Sequence, residues 1–187
     1  GKWSHYDESL RVPLIIYDPR AEKKRRGKVA DPMVLNTDIA PTILGYAGVK
    51  APQQYQGRSL LQIMNGEKIT DWRKDTFCEH LMENNTIPKW EGVRSSRYVY
   101  ARYFEQKPQY EYLHDLKKDP DQLENLVNDP AYANLLNQLR KRCNFLRDSY
   151  GGEYDPSLVA DYIAEQQRKR AENEAKRKSL KQKNRLK

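Results

Sequence analysis

The run Arg11-Val12-Pro13-Leu14-Ile15-Ile16-Tyr17, closed by Asp18-Pro19, constrains this chain more than any other stretch. It is short, continuous in apolar residues and rich in β-branched side chains, which suits a strand buried on both faces of an α/β sheet. Such a strand needs neighbours along its edges and covering layers above and below it. The loop that follows, Glu22 to Lys28, is strongly charged and reads as solvated. Val34 to Asp38 then leads into a helix predicted to run through Ala47. Thr37 or Asp38 can cap it, Pro41 fits its first turn and Gly48 is placed to stop it. These elements read as one strand and one helix of a larger α/β sheet, not a complete one.

Further on the pattern changes. Gln56 to Leu61 begins a second short helix that ends near Asn65-Gly66. After Trp72-Arg73, the segments Thr76–His80, Glu91–Arg94, Tyr98–Tyr103 and Tyr110–Leu116 read as short strands, with a turn at Lys118 to Asp121 closing the series. Their spacing predicts an antiparallel meander. From Tyr132 to Tyr150 the period becomes helical, with Leu135, Leu136, Leu139, Cys143 and Leu146 on one stripe and Gly151-Gly152 at the end. A helix on one face of an antiparallel sheet makes an α+β subdomain.

Composition narrows the function classes. Hydrophobic residues are 37% of the chain and charged residues 32%, so the core is lean. The net charge of +8 is concentrated at one end, where residues 165–187 hold ten Lys/Arg against three Asp/Glu. The remainder is nearly neutral, which removes most of the case for a nucleic-acid-binding domain. From Ser157 onward the composition predicts a solvated helix, frayed or disordered toward Lys187. No apolar window is long enough to span a membrane. The first residues have no signal-peptide character and no initiator methionine, so an upstream portion is expected. Cys78 and Cys143 have no metal-ligand spacing; one bridge between them is open.

Gly1-Lys2-Trp3-Ser4-His5-Tyr6-Asp7-Glu8-Ser9-Leu10-Arg11-Val12-Pro13 resembles the sulfatase segment G-K-x-x-x-Y-E-x-S-x-R-V-P, with Asp7 where the family has Glu. Four further blocks follow in the family's order. They are Asn36-Thr37-Asp38-Ile39-Ala40-Pro41-Thr42 with Ala47-Gly48, Gln56-Gly57-Arg58-Ser59-Leu60, Glu91-Gly92-Val93-Arg94, and Asp115-Leu116-Lys117-Lys118-Asp119-Pro120 with Glu124-Asn125-Leu126. The resemblance implies the end of an alkaline-phosphatase-like α/β sheet domain, followed by a small antiparallel sheet with a packed C-terminal helix. The divisions expected are 1–72 for the end of the catalytic α/β domain, 73–156 for the small subdomain and 157–187 for a basic tail.

The same resemblance implies sulfuric ester hydrolysis through a formylglycine nucleophile and a calcium ion in the full-length enzyme. The formylglycine motif C/S-x-P-x-R does not occur. The nearest stretch, Cys143-Asn144-Phe145-Leu146-Arg147, lacks the proline and places Cys143 on the apolar stripe of a helix. The nucleophile and metal ligands are therefore expected upstream of Gly1. This chain alone is expected to bind neither cofactor and to be inactive.

Lys2 matches the family lysine that contacts sulfate, and is the catalytic candidate; an ammonium suits developing negative charge. His80, Arg94 and His5 are candidates for binding substrate, a sulfated carbohydrate. Arg94 offers a planar fork for an anion, with a salt bridge to Glu91 or Glu79 as the rival role. His114 replaces the tyrosine of the family's L-Y-D-L and reads as structural. Cross-strand packing accounts for the tyrosines at 98, 100, 103, 110 and 112. A phosphoester or phosphonate hydrolase of the same superfamily, or a non-catalytic polyanion-binding module, are the other readings. The family implies a periplasmic, extracellular or lysosomal setting; oligomeric state is left open.

Overall fold

The computed structural model describes residues 3–82, 86–157, 159–165, 167–169, 171 and 172. Its tyrosine-rich middle forms the meander that the spacing predicts. Strands β1 (Asp75–His80), β2 (Trp90–Ser95), β3 (Tyr98–Tyr103) and β4 (Tyr110–Asp115) pair antiparallel in sequence order. The register sets His80 opposite Trp90, Gly92 opposite Ala101 and Tyr100 opposite Leu113. Alternation along each strand then gives the sheet two distinct faces.

On one face lie Phe77, Val93, Tyr100 and Leu113, which pack against Leu136, Leu139, Cys143 and Leu146 of the long helix. That helix is predicted over Tyr132–Tyr150 and observed over Ala133–Ser149. A turn of 3-10 helix whose first amide is capped by Asp129 precedes it, and Gly151 and Gly152 follow at positive φ. Two ion-paired networks close the ends of this layer. Arg140 and the Tyr100 hydroxyl both reach Glu111, and Arg102 and Arg147 both reach Glu91.

The opposite face is covered by the first residues of the chain, including the four-residue helix α1 (Asp7–Leu10). Between α1 and the sheet come helices α2 (Ile39–Tyr46) and α3 (Leu61–Met64), each followed by a glycine at positive φ, Gly48 and Gly66; α4 denotes Ala133–Ser149. Asp38 does not cap α2 as the sequence suggests. Its fully buried carboxylate instead accepts from the Leu35 and Arg58 amides and from the Arg73 guanidinium, 2.7 Å from Nη2.

The run 11–17 departs from its reading as a buried strand. Among the described residues no strand pairs with it, and Ile15 is 89% exposed. A strand buried on both faces requires ladder partners and two covering layers. The described residues supply neither, so the apolar pattern stands without its usual structure. Beyond Ser157 helical backbone recurs up to residue 172, and the rest of the basic tail lies outside the described residues.

Candidate functional site

The face of the sheet opposite α4 gathers the histidines. By register it carries Cys78 and His80 from β1, Trp90 and Arg94 from β2, Tyr103 from β3, and Tyr112 and His114 from β4. The segment Trp3–Leu10 lies across it, tied at four points. The Trp90 indole donates to the Trp3 carbonyl at 2.7 Å. His5 sits fully buried between Tyr103 and His114, with ring nitrogens 2.9 Å from the Tyr103 hydroxyl and 3.2 Å from His114 Nε2. Arg94 donates through Nε and Nη2 to Asp7 Oδ1, at 3.0 and 2.8 Å. The Asp7 amide donates to the Gln122 side chain at 2.6 Å.

Besides Gln122 Nε2, which is also buried without a partner among the described residues, His80 is the exception to this saturation. Both of its ring nitrogens are buried, and neither has a hydrogen-bond partner among the described residues. An edge-on contact to Trp3, centroids 5.4 Å apart, is its ring neighbour. An unmet buried polar group costs about 1–3 kcal/mol, so such an atom calls for a ligand or a water.

Of the four candidate residues, three share this face. His80 and Arg94 stand at opposite ends of the β1–β2 pair, four residues along the strands, roughly 13 Å. His5 is interior and Arg94 is occupied by Asp7, a partner 87 positions away rather than Glu91 or Glu79. Lys2 lies outside the described residues. Sequence reading did not single out Gln122, Trp90 or Tyr103 as holding the segment. The parity of strand positions could have grouped Tyr103 and Trp90 with His80; nothing local marks Gln122.

The motif blocks prove to be one another's partners. Asp38 of the second block binds Arg58 of the third, and the Thr42 hydroxyl receives the Leu60 amide. Gly57 passes so close to Thr37 that a Cβ there would strike its carbonyl, and a Cβ at Gly92 would strike that of Tyr100. Arg94 of the fourth block binds Asp7 of the first. In the fifth, Asn125 accepts from the Leu113 amide and donates to the Glu111 carbonyl, bracing β4.

Burial controls the titratable groups. His5 is pushed down to about 3, by loss of hydration first and then by the neighbouring His114, whose own value is also lowered by burial. Burial raises Tyr103 to about 12. Cys143 is pushed up to about 12 and Cys78 to about 11, both mainly by burial, and the two are unbridged. Neither cysteine has the depressed value of an activated thiol. Among the described residues no group of three His, Cys, Asp or Glu could hold a metal ion. The residues described do not fit a calcium site or a formylglycine precursor.

Comparison with known proteins agrees with this architecture. The N-sulphoglucosamine sulphohydrolase C-terminal family matches residues 1–149. An arylsulfatase of Clostridium perfringens is 34% identical over 142 residues, covering 73% of this chain and 27% of that protein. An N-acetylglucosamine-6-O-sulfatase of Bacteroides thetaiotaomicron is 29% identical over 173 residues, covering 90% and 30%. A solved chain, in complex with its substrate D-glucosamine-2-N,6-O-disulfate, superposes with a TM-score of 0.56 at 24% identity, over 60% of this chain and 24% of that one. The chain thus spans under a third of the length of these relatives. By sequence and by fold, it belongs to the sulfatase family, within its N-sulphoglucosamine sulphohydrolase C-terminal group.

Proposed function

We propose that this chain is the C-terminal portion of a sulfatase that hydrolyses sulfate esters of a sulfated sugar. The observation that carries the reading is His80, a buried histidine with two unmet ring nitrogens, packed against Trp3, the residue after Lys2. In this reading residues 1–72 end the catalytic α/β domain, 73–156 form the small subdomain and 157–187 the tail. The Lys2 ammonium holds the sulfate as charge develops on it. His80 donates to or accepts from the sugar. Arg94 and His5 hold the segment that carries Lys2. Formylglycine and calcium come from residues outside this chain, which alone is inactive. A sulfated amino sugar suits the relative named as an N-acetylglucosamine-6-O-sulfatase.

The test is made on the full-length enzyme with p-nitrophenyl sulfate and N-acetylglucosamine 6-sulfate. Lys2→Ala should lower kcat by roughly 100- to 1,000-fold, the cost of one lost transition-state donor. His80→Ala should act mainly on KM for the sugar sulfate and leave the aryl sulfate nearly unchanged. Near-normal turnover in Lys2→Ala would remove its role. Preferential hydrolysis of a phosphonate monoester over either sulfate would favour the other branch of the superfamily.

A further inference from the structure

The buried His5–His114 pair is more than filler between a segment and a sheet. His114 Nδ1 lies 2.8 Å from the Glu124 carbonyl, which only accepts, so Nδ1 carries a hydrogen. With both rings neutral, His114 Nε2 is then a lone pair, and His5 Nε2 must donate to it. That leaves His5 Nδ1 to accept from the Tyr103 hydroxyl. Protons therefore point one way along the chain Tyr103, His5, His114, Glu124, and no other arrangement of the neutral pair satisfies every contact.

The rings are packed as tightly as they are bonded. His5 stacks on Tyr6 with centroids 4.4 Å apart and meets Tyr112 at 4.5 Å, while Tyr112 also lies 6.1 Å from His114. The groups facing the pair are the tyrosines 6, 103 and 112 and, more distantly, Asp119, which acts on His114 through its charge. Among the described residues neither ring is in direct contact with a carboxylate, so a proton added here has no adjacent counter-ion.

We propose that His114 is a positioning residue, which acts through His5 to fix the segment carrying Lys2 against the sheet. The inference rests on the role given to Lys2 above. His5 is three residues from Lys2 and is the most deeply buried of the segment's four ties. Loss of the His114 acceptor leaves a buried N–H unmet and loosens the tie that is nearest the lysine apart from that at Trp3. A single added proton can be taken up by reversing the chain, so that His5 Nδ1 donates to Tyr103. A second proton makes both Nε2 atoms donors, and the bond between the rings is lost. The pair thus titrates as a unit.

The experiment has two arms on the full-length enzyme. Histidine-selective 15N labelling should show His5 as the Nε2–H tautomer and His114 as the Nδ1–H tautomer, with His5 not titrating between pH 8 and 5.5 and His114 titrating below the ordinary histidine value. Either ring titrating near the ordinary value of about 6.5, or holding the other tautomer, would overturn the proposal whatever the activity. Then kcat and KM for p-nitrophenyl sulfate are measured across pH in His114→Gln and His114→Phe. Gln keeps an acceptor toward His5 and a donor toward Glu124, so it should retain kcat within about threefold, and the acid side of its pH profile should lie lower. Phe should lose kcat by roughly 10- to 100-fold with little change in KM, the scale of a misplaced catalytic group. Wild-type kcat in a folded Phe variant would overturn it; if that variant fails to fold, the tautomers decide. Absence of sulfate-ester turnover in the wild type would sink the sulfatase reading and leave the labelling result standing.

Discussion

Residues 11–17 and residues 75–149 hold apolar patterns of similar clarity, yet only the second becomes regular structure through most of its length. Val93, Tyr100 and Leu113 find the leucines of α4 within 60 residues, and the sheet closes around them. Val12, Leu14, Ile15 and Ile16 find no such layer and remain exposed. A periodic pattern states what a segment can bury; whether it is buried depends on a partner of matching shape within reach. The stretch 36–73 falls between the two, because one carboxylate, Asp38, gathers Leu35, Arg58 and Arg73 around itself.

Amide hydrogen exchange should separate the two regions most sharply. Amides in β2 and β3 should be protected to near the global stability, whereas those of 12–17 should exchange with little protection. Equal protection in both would erase the contrast. Asp38→Ala should cost about 3–5 kcal/mol in urea unfolding, because it strands the half-buried Arg73 guanidinium and two amides. A loss below 1 kcal/mol would place 36–73 with the unpacked region.

Acid should weaken the sheet-bound segment next. The folded value of His5, about 3, lies below the ordinary 6.5, so the unfolded chain takes up the proton first. Stability is then full above about pH 6.5 and falls as pH drops toward 3, by about 2 kcal/mol between pH 7 and 5. His114 pulls the same way. His5→Phe should flatten that slope in unfolding curves at the two pH values. The smallest effect is expected at Ile15→Ser, within about 0.5 kcal/mol, as for other exposed sites. A loss of 2 kcal/mol there would show that the run is buried after all.

Most of the antiparallel sheet and its packed helix was legible because their signals are local. Strand formers, turn residues and the leucine stripe lie within a few positions of the structure they specify, and β3 spans the very residues that read as a strand, Tyr98–Tyr103. The site was less so. Its ties join Asp7 to Arg94, His5 to His114 and Asp7 to Gln122, each across more than 80 positions. Nothing in the vicinity of Arg94 distinguishes Asp7 from Glu91 as its partner. Only the register, by putting Arg94 and Glu91 on opposite faces, decides between them.

The uncovered run has one more consequence, for how molecules of this chain meet each other. Leu14-Ile15-Ile16-Tyr17 is a β-prone, uncharged stretch presented to solvent, the kind of edge onto which another copy can add a strand. It is bracketed by Pro13 and Pro19, which cannot donate to a ladder, and by Arg11 on one side and Arg20 with the cations at 23–26 on the other. Such residues act as gatekeepers against self-association. Replacing Pro13 or the flanking cations should therefore shorten the time this chain by itself stays dispersed well before it alters the folded sheet.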